Sequence, residues 1–170
     1  MTRKKCSSLL PNGWINDEVI NFYFQLLQKR DNALYQCIGY PKAKNFFFNS
    51  YFMNKLLDVG VSDKYNYSQV RKWTKQINIF TREKCFIPVN ISLSPWTLIV
   101  IFMSTKKVIY YDSLPTRPTA ENTYLQSVVT YLVQEGSEGI MPTTANQTVY
   151  SDWEQVTASC PQLSSAEQWK

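Results

Sequence analysis

Three runs rich in Val, Ile, Phe and Tyr stand one after another in the middle of the chain, at 85–91, 96–103 and 107–112. Branched and aromatic side chains fit a pleated, half-buried surface, so each run predicts a strand. The link at 104–106 is short enough to make the second and third strands an antiparallel hairpin. Pro115 and Pro118 close the block. Helical periods flank it. Residues 15–30 carry Val19, Phe22, Tyr23 and Leu26 at i, i+3, i+4 and i+7, with Ile20 and Leu27 widening the stripe. Asn16 or Asp17 can cap the first amides, and Lys29 with Arg30 suits the C-terminal end of the dipole. Phe46, Phe47 and Phe48 read as packing residues ahead of a short helix at 50–57 that Gly60 stops. Another short helix is predicted at 68–76, with Val70 and Trp73 inward and Arg71, Lys72 and Lys75 outward. A longer one follows at 121–135, with Leu125, Val128, Val129 and Leu132 on one face and Gly136 and Gly139 beyond it. A loop over 136–148 and one more strand over 150–158 complete the pattern, and 159–170 shows no period.

The chain contains no histidine among its 170 residues. Histidine is the usual general base near neutral pH, so Cys–His and Ser–His nucleophile mechanisms are excluded by composition. Aromatics at 15% and apolar residues at 44% suffice for one sizeable core. The four cysteines, at 6, 37, 85 and 160, form no C-x-x-C pair, so neither a zinc set nor another cofactor is implied. No apolar run reaches the length of a membrane span, and the N-terminus shows no secretory signal; an intracellular protein, nuclear or cytoplasmic, is expected. The net charge of +5 comes partly from Arg3, Lys4 and Lys5 in a basic extension over 1–12. Such an excess suits an acidic protein partner; basic and aromatic residues are not interleaved as nucleic-acid binding would ask.

Five segments in order, "GWINDEVINFYFQLL" (13–27), "NFFFNSYFMNKL" (45–56), "VRKWTKQINIF" (70–80), "CFIPVNISLSPWTLIVIF" (85–102) and "KKVIYYDSL" (106–114), resemble the catalytic domain of the SUMO (sentrin- or ubiquitin-like-protein-specific) cysteine proteases. The resemblance covers 13–162. It implies an α+β, papain-like cysteine-protease fold of the SUMO-protease type. Because it fades over 163–170, a divergent tail, the nucleophile helix and the helices after it are expected to be absent.

In that family a strand opens on His-Trp, the next ends in Tyr-Tyr-Asp-Ser, and a later helix begins at the nucleophilic Cys. Asp112 matches the triad aspartate and Trp96 the tryptophan after the histidine. The histidine's place is taken by Pro95, preceded by Ser94, with local spacing one residue longer than the family's. Pro161-Gln162 resembles the Pro-Gln ahead of the nucleophile, making Gln162 the oxyanion-binding candidate. Counting onward puts the cysteine position near Trp169. The resemblance further implies that Trp14 and Trp96 wall a tunnel for the modifier's diglycine tail, and that Asp17, Arg71 and Trp73 lie on the SUMO-docking face. The same residues carry plainer readings: a turn-initiating Asp112, core tryptophans, a helix-capping Asp17 and a solvated Arg71.

Two functions follow from the resemblance. One is a catalytically inactive homologue of the desumoylating proteases that retains at most a docking face for SUMO or a related modifier. The other is an active desumoylating cysteine peptidase whose missing groups come from another chain or isoform. Loss of the nucleophile helix would also leave the apolar faces of 85–91 and 96–103 partly uncovered, an invitation to association.

Overall fold

The structure, a computed structural model, describes residues 9, 13–38, 44–91, 95–112, 118–139 and 152–159. Its centre is a five-stranded sheet in the order β1 (Asn45–Phe47), β2 (Lys84–Val89), β3 (Thr97–Phe102), β4 (Lys107–Asp112) and β5 (Glu154–Ser159). The predicted hairpin is present: Phe102 pairs with Lys107 and Leu98 with Tyr111. β2 joins β3 antiparallel, whereas β1 and β5 add parallel strands at the two edges. Three helices accompany the sheet, α1 (Asp17–Cys37), α2 (Tyr51–Leu56) and α3 (Pro118–Gly139).

The alternation of each strand divides the sheet into two faces. Cys85, Ile87 and Val89 share one face with Ile99, Ile101, Val108 and Tyr110, and all are buried. Phe48, Phe52, Met53 and Leu56 from the α2 side and Leu125, Val128, Tyr131 and Leu132 from α3 close over them as a single core. The aromatic packing there is edge-on: Phe52 meets Tyr131 at 5.0 Å and Trp73 at 5.7 Å between ring centroids. The strands therefore have cover on this face, and exposed large apolar side chains include Phe22, Tyr23, Leu26 and Leu34 of α1.

Helix α1 lies against the other face and the β1 edge. Asn16 caps it by accepting the Val19 N–H at 3.0 Å, with Asp17 and Glu18 in its first turn. Phe24 packs edge-on against Phe47, which stacks on Phe86 at 4.8 Å. Tyr35 is buried as well, and polar side chains also anchor α1. Gln28 donates to the Asn45 carbonyl at 3.1 Å and accepts the Phe47 N–H at 3.2 Å, while Asp31 accepts the Asn45 N–H at 3.0 Å. An edge strand presents unpaired backbone groups that need partners. Meeting them turns Gln28 and Asp31 toward the sheet and leaves the Phe22–Tyr23–Leu26 stripe in solvent.

Several boundaries also differ. α1 runs on past Arg30 to Cys37, and α3 continues through Gly136 to Gly139. The predicted helix at 68–76 is a 3₁₀ turn over Tyr67–Gln69 followed by further turns. Its bonds run mostly three residues back, as from the Trp73 N–H to the Val70 carbonyl at 2.8 Å. Tyr67, Val70 and Trp73 are anchors three residues apart, a spacing that fits three residues per turn better than 3.6. Val70 and Trp73 do point inward as predicted.

Candidate functional site

Trp96 immediately precedes β3, and its indole N–H donates to the Ile15 carbonyl at 2.6 Å. That bond ties the segment entering α1 to the start of the central hairpin. Beside it opens a cleft of about 550 Å³ lined by Trp14, Asn16, Asp17, Tyr51, Asn90 and Trp96, among others. Two sets of side-chain bonds fix its walls. Asn21 and Ser50 bond reciprocally at 2.9 Å, holding the start of α2 against α1. The Tyr51 hydroxyl donates to Asp17 Oδ2, and this bond, followed by burial, raises the Tyr51 pKa above its ordinary 10.0. Tyr51 therefore stays neutral, a donor across the cleft floor. On the other side of Trp96 a smaller apolar groove of about 290 Å³ is lined by Ile20, Phe24, Pro88, Leu98 and Tyr111.

Asp112 ends β4, half-buried, in register with Ser159 of β5. Continuing the β3–β4 register by one pair sets Thr97 across from Asp112. The position two residues before Thr97 lies just ahead of β3. Pro95 occupies it and offers neither a proton acceptor nor a backbone N–H.

Of the docking residues expected from sequence, Trp14, Asp17 and Trp96 come together in one cleft. Arg71 and Trp73 do not join them. Trp73 packs on Phe52 in the core, and Arg71 lines a separate cleft of about 620 Å³ with Lys72, Lys75 and Glu135. At that second cleft Glu135 accepts from the Tyr67 hydroxyl at 2.7 Å and from the Thr74 hydroxyl. Gln162 and Trp169 lie outside the described residues. Sequence reasoning missed Tyr51, Asn54 and Asn90 as cleft residues; no local spacing links them to Trp14. Among the described residues no group of His, Cys, Asp or Glu could hold a metal ion, and no helix is long and apolar enough to cross a membrane.

A family model described as "Ulp1 protease family, C-terminal catalytic domain" matches residues 13–166. A sentrin-specific protease of Caenorhabditis elegans is 35% identical over 118 residues, covering 69% of this chain and 15% of the relative. Ubiquitin-like-specific protease 1A of Arabidopsis thaliana is 36% identical over 141 residues, covering 79% of this chain and 26% of the relative. Among solved structures, the SUMO protease Ulp1 with its catalytic cysteine oxidised to a sulfinic acid is similar with a TM-score of 0.74 at 26% identity, covering 96% of this chain and 64% of that one. The C-terminal Ulp1 protease domain in complex with Smt3, the yeast orthologue of SUMO, gives a TM-score of 0.72 at 26% identity over the same shares. The α+β architecture expected from the sequence is the fold of these neighbours. This chain spans about a quarter or less of those curated relatives and under two thirds of the solved Ulp1 chains.

Proposed function

The chain belongs to the Ulp1 protease family, and from that premise we propose that it binds SUMO or a related ubiquitin-like modifier at the Trp14–Asp17–Trp96 cleft without cleaving it. The support is positional: Pro95 stands directly before Trp96, where the family pattern has its histidine, in a sequence without histidine, and Asp112 is kept at the end of β4. A pyrrolidine ring carries no group that can accept and return a proton. Loss of a general base alone costs ~10²–10⁴-fold in rate. Counting onward from Pro161-Gln162 puts the cysteine position near Trp169, so on this reading the thiolate is lost as well and Gln162 has no oxyanion to bind. For binding, the supports are the shape of the cleft and the fold shared with the Smt3-bound Ulp1 domain. A channel between two indoles admits a chain without Cβ atoms, which is what a diglycine tail is.

Retention of Asp112 favours a second reading, a desumoylating cysteine peptidase whose base and nucleophile come from another chain. Two measurements separate the readings. Titration with unmodified SUMO should give micromolar binding that Trp14→Ala weakens at least tenfold. Incubation with SUMO bearing a C-terminal electrophile should leave the protein unmodified. Covalent capture would overturn inactivity, and absence of binding would overturn the docking role. The double variant Pro95→His, Trp169→Cys should recover little cleavage.

A further inference from the structure

Arg71, Lys72 and Lys75 crowd one wall of the second cleft, and all three are exposed. Among the described residues none of them forms an ion pair or a side-chain hydrogen bond. Like charges held so close repel one another, and an anion from outside relieves that repulsion. The wall that carries them is fixed. The Trp73 N–H bonds the Val70 carbonyl and the Ile77 N–H the Thr74 carbonyl, each at 2.8 Å. Thr74 is buried and bonded to Glu135, and Trp73 packs on Phe52. Cations on a backbone anchored in this way are ordered before any ligand arrives, which lowers the entropy cost of binding.

Two carboxylates line the same cleft, and neither pairs with the cations. The two oxygens of Glu135 already accept from the Tyr67 and Thr74 hydroxyls. Glu138 is exposed and accepts from the Gln134 amide at 3.1 Å. The segments of this chain outside the described residues carry one acidic side chain among them, Glu167, so the complementary charge has to come from another molecule. Glu138 also helps to decide its class. A phosphate chain would meet that carboxylate with like charge and no hydrogen to donate. A peptide brings carboxylates for the cations and backbone N–H groups for Glu138 and for the side-chain carbonyl of Gln76. Ile77 and Phe80, both partly exposed in the cleft, offer contact to an apolar side chain as well. The volume of about 620 Å³ is ample for a short segment.

We propose that this cleft binds an acidic peptide segment of another protein, its carboxylates on Arg71, Lys72 and Lys75 and an apolar side chain against Ile77 and Phe80. The cleft shares no lining residue with the one at Trp14 and Trp96, so this site stands or falls apart from the docking proposal.

Fluorescence anisotropy of a labelled peptide with two leucines among six glutamates should show binding to the purified chain in the micromolar range at low salt. The binding should weaken several-fold when salt is raised to about 0.2 M. Arg71→Glu and Lys75→Glu should each weaken it roughly tenfold with an unchanged circular dichroism spectrum. Lys29→Glu, the same charge change on α1 across the sheet, should leave it as it was. Serines in place of the leucines should weaken it roughly fivefold. No binding, or equal losses from Lys29→Glu and the two cleft variants, would overturn the proposal. A serine peptide that binds equally would overturn the apolar contact. Tighter binding of tripolyphosphate or of a single-stranded oligonucleotide would assign the cations to phosphate and overturn the peptide. Displacement of the peptide by unmodified SUMO would return Arg71 to the modifier's docking face and overturn a separate site.

Discussion

Glu135 is the buried group whose replacement tests the packing argument most sharply. It is 9% exposed on the inner side of α3. Tyr67 O–H donates to Oε2 at 2.7 Å, the Thr74 hydroxyl donates to Oε1, and Tyr131 O–H lies 3.3 Å from Thr74 Oγ1. These bonds pin the turn over Tyr67–Gln69 and the stretch up to Thr74 to α3, across 68 residues of sequence in the Tyr67 case. Burial first, and then the bond to Glu135, push the Tyr67 pKa well above its ordinary value, so its hydroxyl remains a donor at all working pH. In Glu135→Leu two hydroxyls that are buried or nearly so lose their acceptor, at ~1–3 kcal/mol each. Relief from carrying a carboxyl group inward offsets part of that, leaving a net loss of about 3 kcal/mol. Tyr67→Phe removes one donor and leaves Thr74 in place, for about 1 kcal/mol. With all three polar groups removed together, in Glu135→Leu, Tyr67→Phe, Thr74→Val, nothing is left unpaired. The triple variant should therefore be more stable than the sum of the single losses by about 2 kcal/mol. Urea unfolding followed by tryptophan fluorescence at pH 7 measures all of these. Simple additivity, or a Glu135→Leu variant within about 0.5 kcal/mol of the parent, would refute the idea that the three groups act as a unit.

Phe52→Ala should cost ~3–5 kcal/mol in the same assay, because Phe52 is fully buried and touches Phe48, Trp73 and Tyr131. The chain should also lose stability in alkali. Burial pushes the Cys85 thiol from its ordinary 9.0 up to about 12, and burial likewise lifts Tyr65 to about 12. A folded-state pKa above the unfolded one means the folded chain holds its proton longer. The contribution is fully present below pH 9, shrinks as pH rises, and is lost through about 12, for Cys85 on the order of 4 kcal/mol. Unfolding free energy measured from pH 8 to 11 should fall, and Cys85→Ala should flatten the fall; a pH-independent midpoint would refute this.

What was legible in the sequence follows from how local each signal is. The run Lys107–Asp112 needed no correction, because dense β-branched and aromatic residues leave no helical alternative. β1 escaped notice: it is three residues long and pairs with β2 nearly forty residues later, so nothing nearby in the chain announces it. The orientation of α1 was not legible for a related reason. Apolar residues cover more than half its circumference, so periodicity alone cannot choose a face, and the bonds from Gln28 and Asp31 to β1 choose it. At the candidate site, Trp14, Asp17 and Trp96 became a set only through resemblance to a family. The bond from Tyr51 to Asp17 spans 34 residues and left no trace in local spacing.

The two tryptophans of the cleft answer different questions about what has been kept. Trp96 bonds the Ile15 carbonyl and lines both the polar cleft and the apolar groove behind it. Packing and that bond justify its presence, whether or not anything binds. Trp14 is another matter. It is 75% exposed, and leaving an indole in water gains the fold nothing. A chain kept only as a folded scaffold would lose nothing on replacing it. An exposed indole at the rim of a cleft, beside a tryptophan already fixed in place and an aspartate held by Tyr51, is what a binding surface requires and a core does not. The docking proposal thus rests more on Trp14, which packs into no core, than on Trp96, which the Ile15 bond holds in place.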